Sequence, residues 1–266
     1  MKRILSSMFL AALMLALVTG AQAASFTLTP GATAGSPLAG TIPGGGSNDF
    51  LAPNAGAIFT LTNIGGYYGA TVNYNVVGIG ASVTFEFFGG EAGFHDQFFY
   101  DSGAGYALVP GFDHTGTPAK LIAANLTSPL ASQTYGLAAG TDVLKFEFVV
   151  DNFSGPVAGP INGSNPLNTV GLPPNFFVAC GTNPNDPNGG LTSATPAAAP
   201  APCAGQLYVF LDDNGANNDD NHDDLMVRIT LNDGRIPPPP VPEPTSFALL
   251  GSALVGLGVV ARKVRK

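Results

Sequence analysis

Six aspartates fall within thirteen residues: Asp212, Asp213, Asp219, Asp220, Asp223 and Asp224. Asn214, Asn217, Asn218, Asn221 and His222 share the stretch. Carboxylates crowded this closely repel one another unless something neutralises them. Calcium is the natural counter-ion, because it is a hard cation that takes about six to eight oxygens from carboxylates, amide carbonyls and backbone. The segment offers all three, and Gly215 permits a sharp turn. The spacing is not that of an EF-hand, which needs Asp-x-Asp-x-Asp-Gly and a Glu at the twelfth position. Strand alternation lets only one residue of each adjacent pair face a site, which favours Asp213, Asp220 and Asp224. The competing reading is a solvated acidic hairpin whose Asp and Asn side chains form Asx-turns. A transition metal held through His222 is a third.

A second polar group comprises Glu86, Glu91, His95, Asp96 and Asp101. Two carboxyls held several ångströms apart across a sugar could hydrolyse it, and Glu86 and Glu91 are the available pair. A polar loop between two strands explains the same residues without chemistry. The chain has no His-Glu-x-x-His, no Gly-x-Ser-x-Gly, no Walker A loop and no dinucleotide fingerprint. His95, His114 and His222 are far apart in sequence. Trp is absent, so stacking on a sugar would fall to Tyr67, Tyr68, Tyr100 or Tyr106. The expectation is a protein that is not an enzyme, with a carbohydrate-binding module and a secreted hydrolase as the alternatives.

The elements around these residues read as strands. The runs at 57–62, 70–77, 82–88, 143–150, 206–211 and 225–231 are rich in Val, Ile, Phe and Thr, and Gly, Asn and Pro separate them. Several alternate, as in Thr84-Phe85-Glu86-Phe87, the period of a sheet with one buried face. No stretch between the ends sustains a helical apolar period. The expected fold is all-β: an antiparallel β-sandwich, jelly-roll-like or immunoglobulin-like, over residues 55–236. Residues 24–54 would be a loosely ordered arm, or a first strand at Ser25-Phe-Thr-Leu-Thr. Cys180 and Cys203 are the only cysteines, and in an exported chain they predict one disulfide.

Export is written at both ends. Lys2 and Arg3 precede an apolar run from Met8 to Val18, and Ala21-Gln22-Ala23 completes a secretory signal peptide over 1–23. At the other end, four prolines (Pro237 to Pro240) form a stiff spacer, residues 237–244, that runs into Pro242, Glu243 and Pro244. An uncharged stretch of 17 residues follows, Thr245 to Ala261, and then Arg262, Lys263, Arg265 and Lys266. That length is at the short limit of a transmembrane helix, and the basic end would stay cytoplasmic. Residues 245–266 are thus expected to form a membrane helix and basic tail. Between the two targeting segments, four basic residues face seventeen acidic ones, a net charge of −13. Such a surface repels phosphate backbones and argues against nucleic acid as a partner.

The order Pro-Glu-Pro, short apolar helix and basic cluster, from Val241 to Lys266, resembles the PEP-CTERM sorting signal. The resemblance implies cleavage near Pro242-Glu243-Pro244 by an exosortase, a membrane protease, and transfer from the inner membrane to the cell surface or extracellular matrix. It also implies association with exopolysaccharide. A permanent single-span anchor is the alternative. Two internal stretches are similar to segments of PEP-CTERM ectodomains: the aspartate run ending Asp223-Asp224-Leu-Met-Val-Arg-Ile229, and Gly89-x-Glu91-Ala-Gly-Phe94-x-Asp96-x-Phe98. Asp96 stands where that second pattern usually has Asn. These likenesses imply a shared β-rich exported domain.

Overall fold

The computed structural model describes residues 24–233, except 31–37, 46–47, 78, 117–119, 152–155, 169–173, 184, 198–199, 201 and 214–220. The chain divides into two units, Met1–Asp233 and Gly234–Lys266, and every described residue belongs to the first. The signal peptide, the Pro-rich spacer with Pro242, Glu243 and Pro244, the apolar tail, Asp219 and Asp220 lie outside the described residues.

Among the described residues the protein is all-β, with fifteen strands and no helix. In chain order they are β1 Ser25–Pro30, β2 Leu38–Pro43, β3 Asn63–Tyr68, β4 Ala70–Val76, β5 Ser82–Glu91, β6 His95–Asp101, β7 Tyr106–His114 and β8 Lys120–Ile122. Then follow β9 Ala131–Gly136, β10 Gly140–Val143, β11 Phe146–Asp151, β12 Pro156–Ile161, β13 Asn175–Gly181, β14 Gln206–Asp212 and β15 Leu225–Asn232. They make three sheets: β1-β4-β10, β12-β11-β6-β7, and an eight-stranded sheet ordered β2-β3-β13-β14-β15-β5-β8, with β9 also on β5. All pairings between these strands are antiparallel.

The middle of the large sheet departs from the one-buried-face pattern. In β14, Leu207, Val209 and Leu211 point into a core shared by all three sheets. The alternate residues, Tyr208 and Phe210, enter a second core on the opposite face. There they meet Phe50, Leu51, Ile58 and Phe59 from the β2–β3 connection. Strand β13 splits the same way, with Phe176 and Val178 on one side and Phe177 and Ala179 on the other. A strand covered on both faces reads as a continuous apolar run, which is what Leu-Tyr-Val-Phe-Leu at 207–211 is. Each fully buried Phe contributes roughly 1.5–3 kcal/mol through the surface it removes from water.

Aromatic packing joins the four-stranded sheet to the large one. Phe98 on β6 lies 5.2 Å from Phe85 on β5, centroid to centroid, and Phe148 on β11 lies 5.7 Å from Phe176 on β13. Cys180, in β13, is disulfide-bonded to Cys203. Cys203 also pairs with Phe26 of β1, through Phe26 N–H to Cys203 C=O at 3.0 Å and Cys203 N–H to Phe26 C=O at 2.9 Å.

Candidate metal centre

The β14–β15 hairpin positions the acidic cluster. Its last register pair is Leu211↔Leu225, so Asp213 and Asp224 stand together just beyond the strands. The Asp213 backbone N–H donates to Asp224 Oδ2 at 2.7 Å, which holds the two together. The hairpin's neighbour, β5, is bulged where Met226 and Val227 pair with Gly89 and Phe87. A bulge re-aims the chain locally. It lets Gly90 run against the hairpin so closely that a Cβ there would lie 1.9 Å from the Asp224 carbonyl oxygen. Only glycine fits that approach.

The third member comes from another sheet. Strand β6 alternates, with Asp96, Phe98 and Tyr100 buried and the residues between them half-exposed. Asp96 therefore occupies a core position, pairing with Val150 of β11 and His114 of β7. It is 0% exposed, and neither carboxyl oxygen has a hydrogen-bond partner among the described residues. One oxygen each from Asp96, Asp213 and Asp224 lie within 4.8 Å of one another. Burial pushes the Asp96 carboxyl up to about 9, with the Asp213 charge adding to it. Burial likewise holds Asp224 well above the usual carboxylate range, with Asp213 as the main charged neighbour.

The adjacent residue faces elsewhere. Asp223 joins Asp49 and Glu91, again with one oxygen each inside 4.8 Å. This group is internally bonded. The Asp49 N–H donates to Asp223 Oδ2 at 2.5 Å, and the Lys120 ammonium donates to Asp49. A hydrogen bond with Asp49 raises Glu91. For Asp49 itself, burial is outweighed by the bonds from Glu91 and Lys120, and the net shift is down. Burial lifts Asp223 to about 7.

The four described aspartates of the sequence motif therefore have different places. Asp213 and Asp224 enter the buried triad and Asp223 the Lys120-bridged group. Asp212, 0% exposed, accepts from Asn175 Nδ2 at 3.3 Å, and Asn175 Oδ1 lies 3.1 Å from His222 Nε2. The three histidines do not converge: His222 bonds Asn175, His95 pairs with Asp113, and His114 lies opposite Asp96 in register. Glu86 and Glu91 have different partners. Glu86 is gripped by Arg228 through Nε at 2.7 Å and a second guanidinium nitrogen at 2.8 Å, whereas Glu91 bonds Asp49.

Sequence reasoning named Asp96 without joining it to the cluster, and it did not single out Asp49. Asp96 carried a signal, an acid in phase with Phe98 and Tyr100 on a strand's apolar face. Asp49, in a loop, carried none.

Three oxygens at this spacing fit a hard cation. Ca–O distances of about 2.3–2.6 Å allow oxygens on opposite sides of one ion to be up to about 5 Å apart. Three carboxylates can supply three to about six of the ligands calcium takes, with backbone carbonyls or water completing the shell.

Beyond this site, the C-terminal residues 240–266 match the family model of the PEP-CTERM protein-sorting motif. The chain is a PEP-CTERM sorting domain-containing protein. The motif marks it for processing by an exosortase, itself a membrane protein, and for export through the membrane to the cell surface. No curated protein and no solved structure matches the chain. Among the described residues, no helix is long and apolar enough to cross a membrane.

Proposed function

We propose that the protein is a non-enzymatic structural component of the cell surface or extracellular matrix, associated with exopolysaccharide, whose sandwich-like β domain is stabilised by calcium. The observation that carries the calcium reading is Asp96, a fully buried carboxyl with both oxygens free, beside Asp213 and Asp224. Carboxyls are placed in a core at such cost only when something returns the lost hydration, and a divalent cation does so for three at once. The metal belongs to the architecture: its ligands come from β6 of one sheet and from the β14–β15 hairpin of another.

A melting curve of the purified protein with and without excess chelator tests this reading. The midpoint is expected to fall on chelation, and an unchanged midpoint would remove calcium from the account. Sorting is tested separately by intact mass. Protein from the native host surface is expected to lack the Val264-Arg265-Lys266 end, and a retained tail would mean a permanent membrane anchor.

A further inference from the structure

We propose that the cation held by Asp96, Asp213 and Asp224 also controls a cover: segment 48–61, latched to the β14–β15 hairpin beside the site, closes the second core when the metal is bound and loosens when it leaves. This rests on the calcium reading above and names what that site regulates. The segment connects β2 to β3 and carries Phe50, Leu51, Ile58 and Phe59, all buried. It folds back on itself, with the Phe59 N–H donating to the Phe50 C=O at 3.0 Å. Its rings rest on the large sheet edge-on, Phe50 6.4 Å from Phe210 and Phe59 5.8 Å from Tyr208 between centroids.

Two polar latches hold its leading end, and both reach the hairpin. The His222 N–H donates to Asn48 Oδ1 at 2.9 Å, and Asn48 Nδ2 donates in turn to the Pro43 C=O at 2.7 Å. The Asp49 N–H donates to Asp223 Oδ2, and the Lys120 ammonium of β8 donates to the Asp49 carboxylate. His222 and Asp223 directly precede Asp224. Asp224 is therefore the joint: its side chain enters the triad, while the two residues before it grip the segment. The trailing end is tied elsewhere, since the Thr60 N–H and hydroxyl donate to Asn188 Oδ1 at 2.7 and 3.0 Å. The leading end can open while the trailing end stays in place.

With a cation present, the three carboxyls are drawn to one point and the backbone at 222–224 is fixed. Without it, like groups crowd within 4.8 Å and push the hairpin away from Asp96. The Asp223 C=O is also held by the Glu91 N–H at 2.6 Å, so the hairpin pivots at β5 rather than leaving the sheet. A pivot there loosens the latches first, as a local opening below the cost of global unfolding. Coupling of this kind is reciprocal, so releasing the segment weakens the cation by up to the factor by which the cation tightens the segment.

Hydrogen exchange of the full-length protein in saturating calcium and in chelator tests the coupling, with calorimetric titration reporting calcium binding itself. Amides in 49–59 are expected to exchange at least about fivefold more slowly with calcium, the lower end of typical coupling between sites. In chelator they should exchange faster than the amides of β4, a strand that carries no member of the triad. Asp223→Ala removes the acceptor of the Asp49 N–H without removing a member of the triad. It should still bind calcium, but the segment's exchange should no longer respond. Asp223→Asn loses the same charge yet keeps an acceptor oxygen, so it should restore the response and bind calcium more tightly than the Ala variant. Calcium binding by the parent with unchanged exchange in 49–59, or with an equal change in β4, overturns the coupling and leaves the calcium reading standing. So does a full response in Asp223→Ala. No calcium binding by the parent overturns both. Were Asp223→Ala not to fold, the parent's comparison of 49–59 with β4 decides alone.

Discussion

Asp96→Asn separates a metal ligand from a structural acid, because the metal-free and metal-loaded proteins should respond oppositely. Without metal at pH 7, a carboxyl shifted to about 9 is protonated, and asparagine is a neutral isostere of that form. The amide, like the protonated carboxyl, places no charge against Asp213 and Asp224. The chelated variant should therefore melt within about 3 °C of the chelated parent, or above it. With calcium at about 100 times its Kd, the parent gains about 2.7 kcal/mol. For a domain of this length that is a rise of roughly 5–11 °C at about 2–4 °C per kcal/mol. If losing one of three charged ligands raises Kd on the order of 100-fold, the same calcium concentration gives the variant only about 0.4 kcal/mol, or roughly 1–2 °C. Paired calorimetric scans in calcium and in chelator read all four midpoints. An equal calcium shift in parent and variant would refute the assignment of Asp96, and a collapse of the chelated variant would refute the claim that its metal-free carboxyl is neutral.

Gly90→Ala should weaken calcium binding without touching a ligand, because its Cβ would land 1.9 Å from the Asp224 carbonyl oxygen; calcium titration calorimetry should show a weaker Kd, and an unaltered one would mean the hairpin adjusts freely. Arg228→Ala should destabilise the protein by roughly 3–5 kcal/mol in urea melts, since it strands Glu86 beneath a lost bidentate pair, while replacing both partners with apolar residues should recover much of that loss. In chelator, stability should decline as pH rises from about 5 towards 9. The folded state holds protons on Asp96 that the unfolded chain releases near 4, so each pH unit costs up to about 1.4 kcal/mol per carboxyl, and saturating calcium should abolish the slope.

The strands were legible because alternation and β-branched runs are local, and β5, β11 and β15 lie where those runs fall. Their arrangement into three sheets was not, since β13 reaches β14 across a 24-residue connection that has no periodicity to read. Residues 57–62 read as a strand run, but they lie in the β2–β3 connection and form only an isolated Leu51–Phe59 bridge, because Phe50, Leu51 and Phe59 there turn to cover the second face of the large sheet. Of the site, the hairpin half was visible as an aspartate run. Asp96 lies more than a hundred residues earlier, and only the fold brings it to Asp213.

The three sheets share one apolar core, but distinct non-apolar links tie them pairwise. Asn162 joins the small sheet to the segment entering β11, with its Oδ1 accepting from Val72 N–H at 2.7 Å and its Nδ2 donating to the Leu144 carbonyl. The disulfide ties β13 of the large sheet to the segment that pairs with β1 of the small one. The acid triad links the four-stranded sheet to the large one. Disulfide and triad sit at opposite ends of the β13–β14 pair, whose register runs from Asn175↔Asp212 to Gly181↔Gln206. Apolar packing is non-directional and would tolerate the sheets sliding past one another, whereas the covalent bond at one end, and the proposed cation at the other, would fix their registration. The disulfide forms in an oxidising compartment, and the sorting motif sends the chain out of the reducing one.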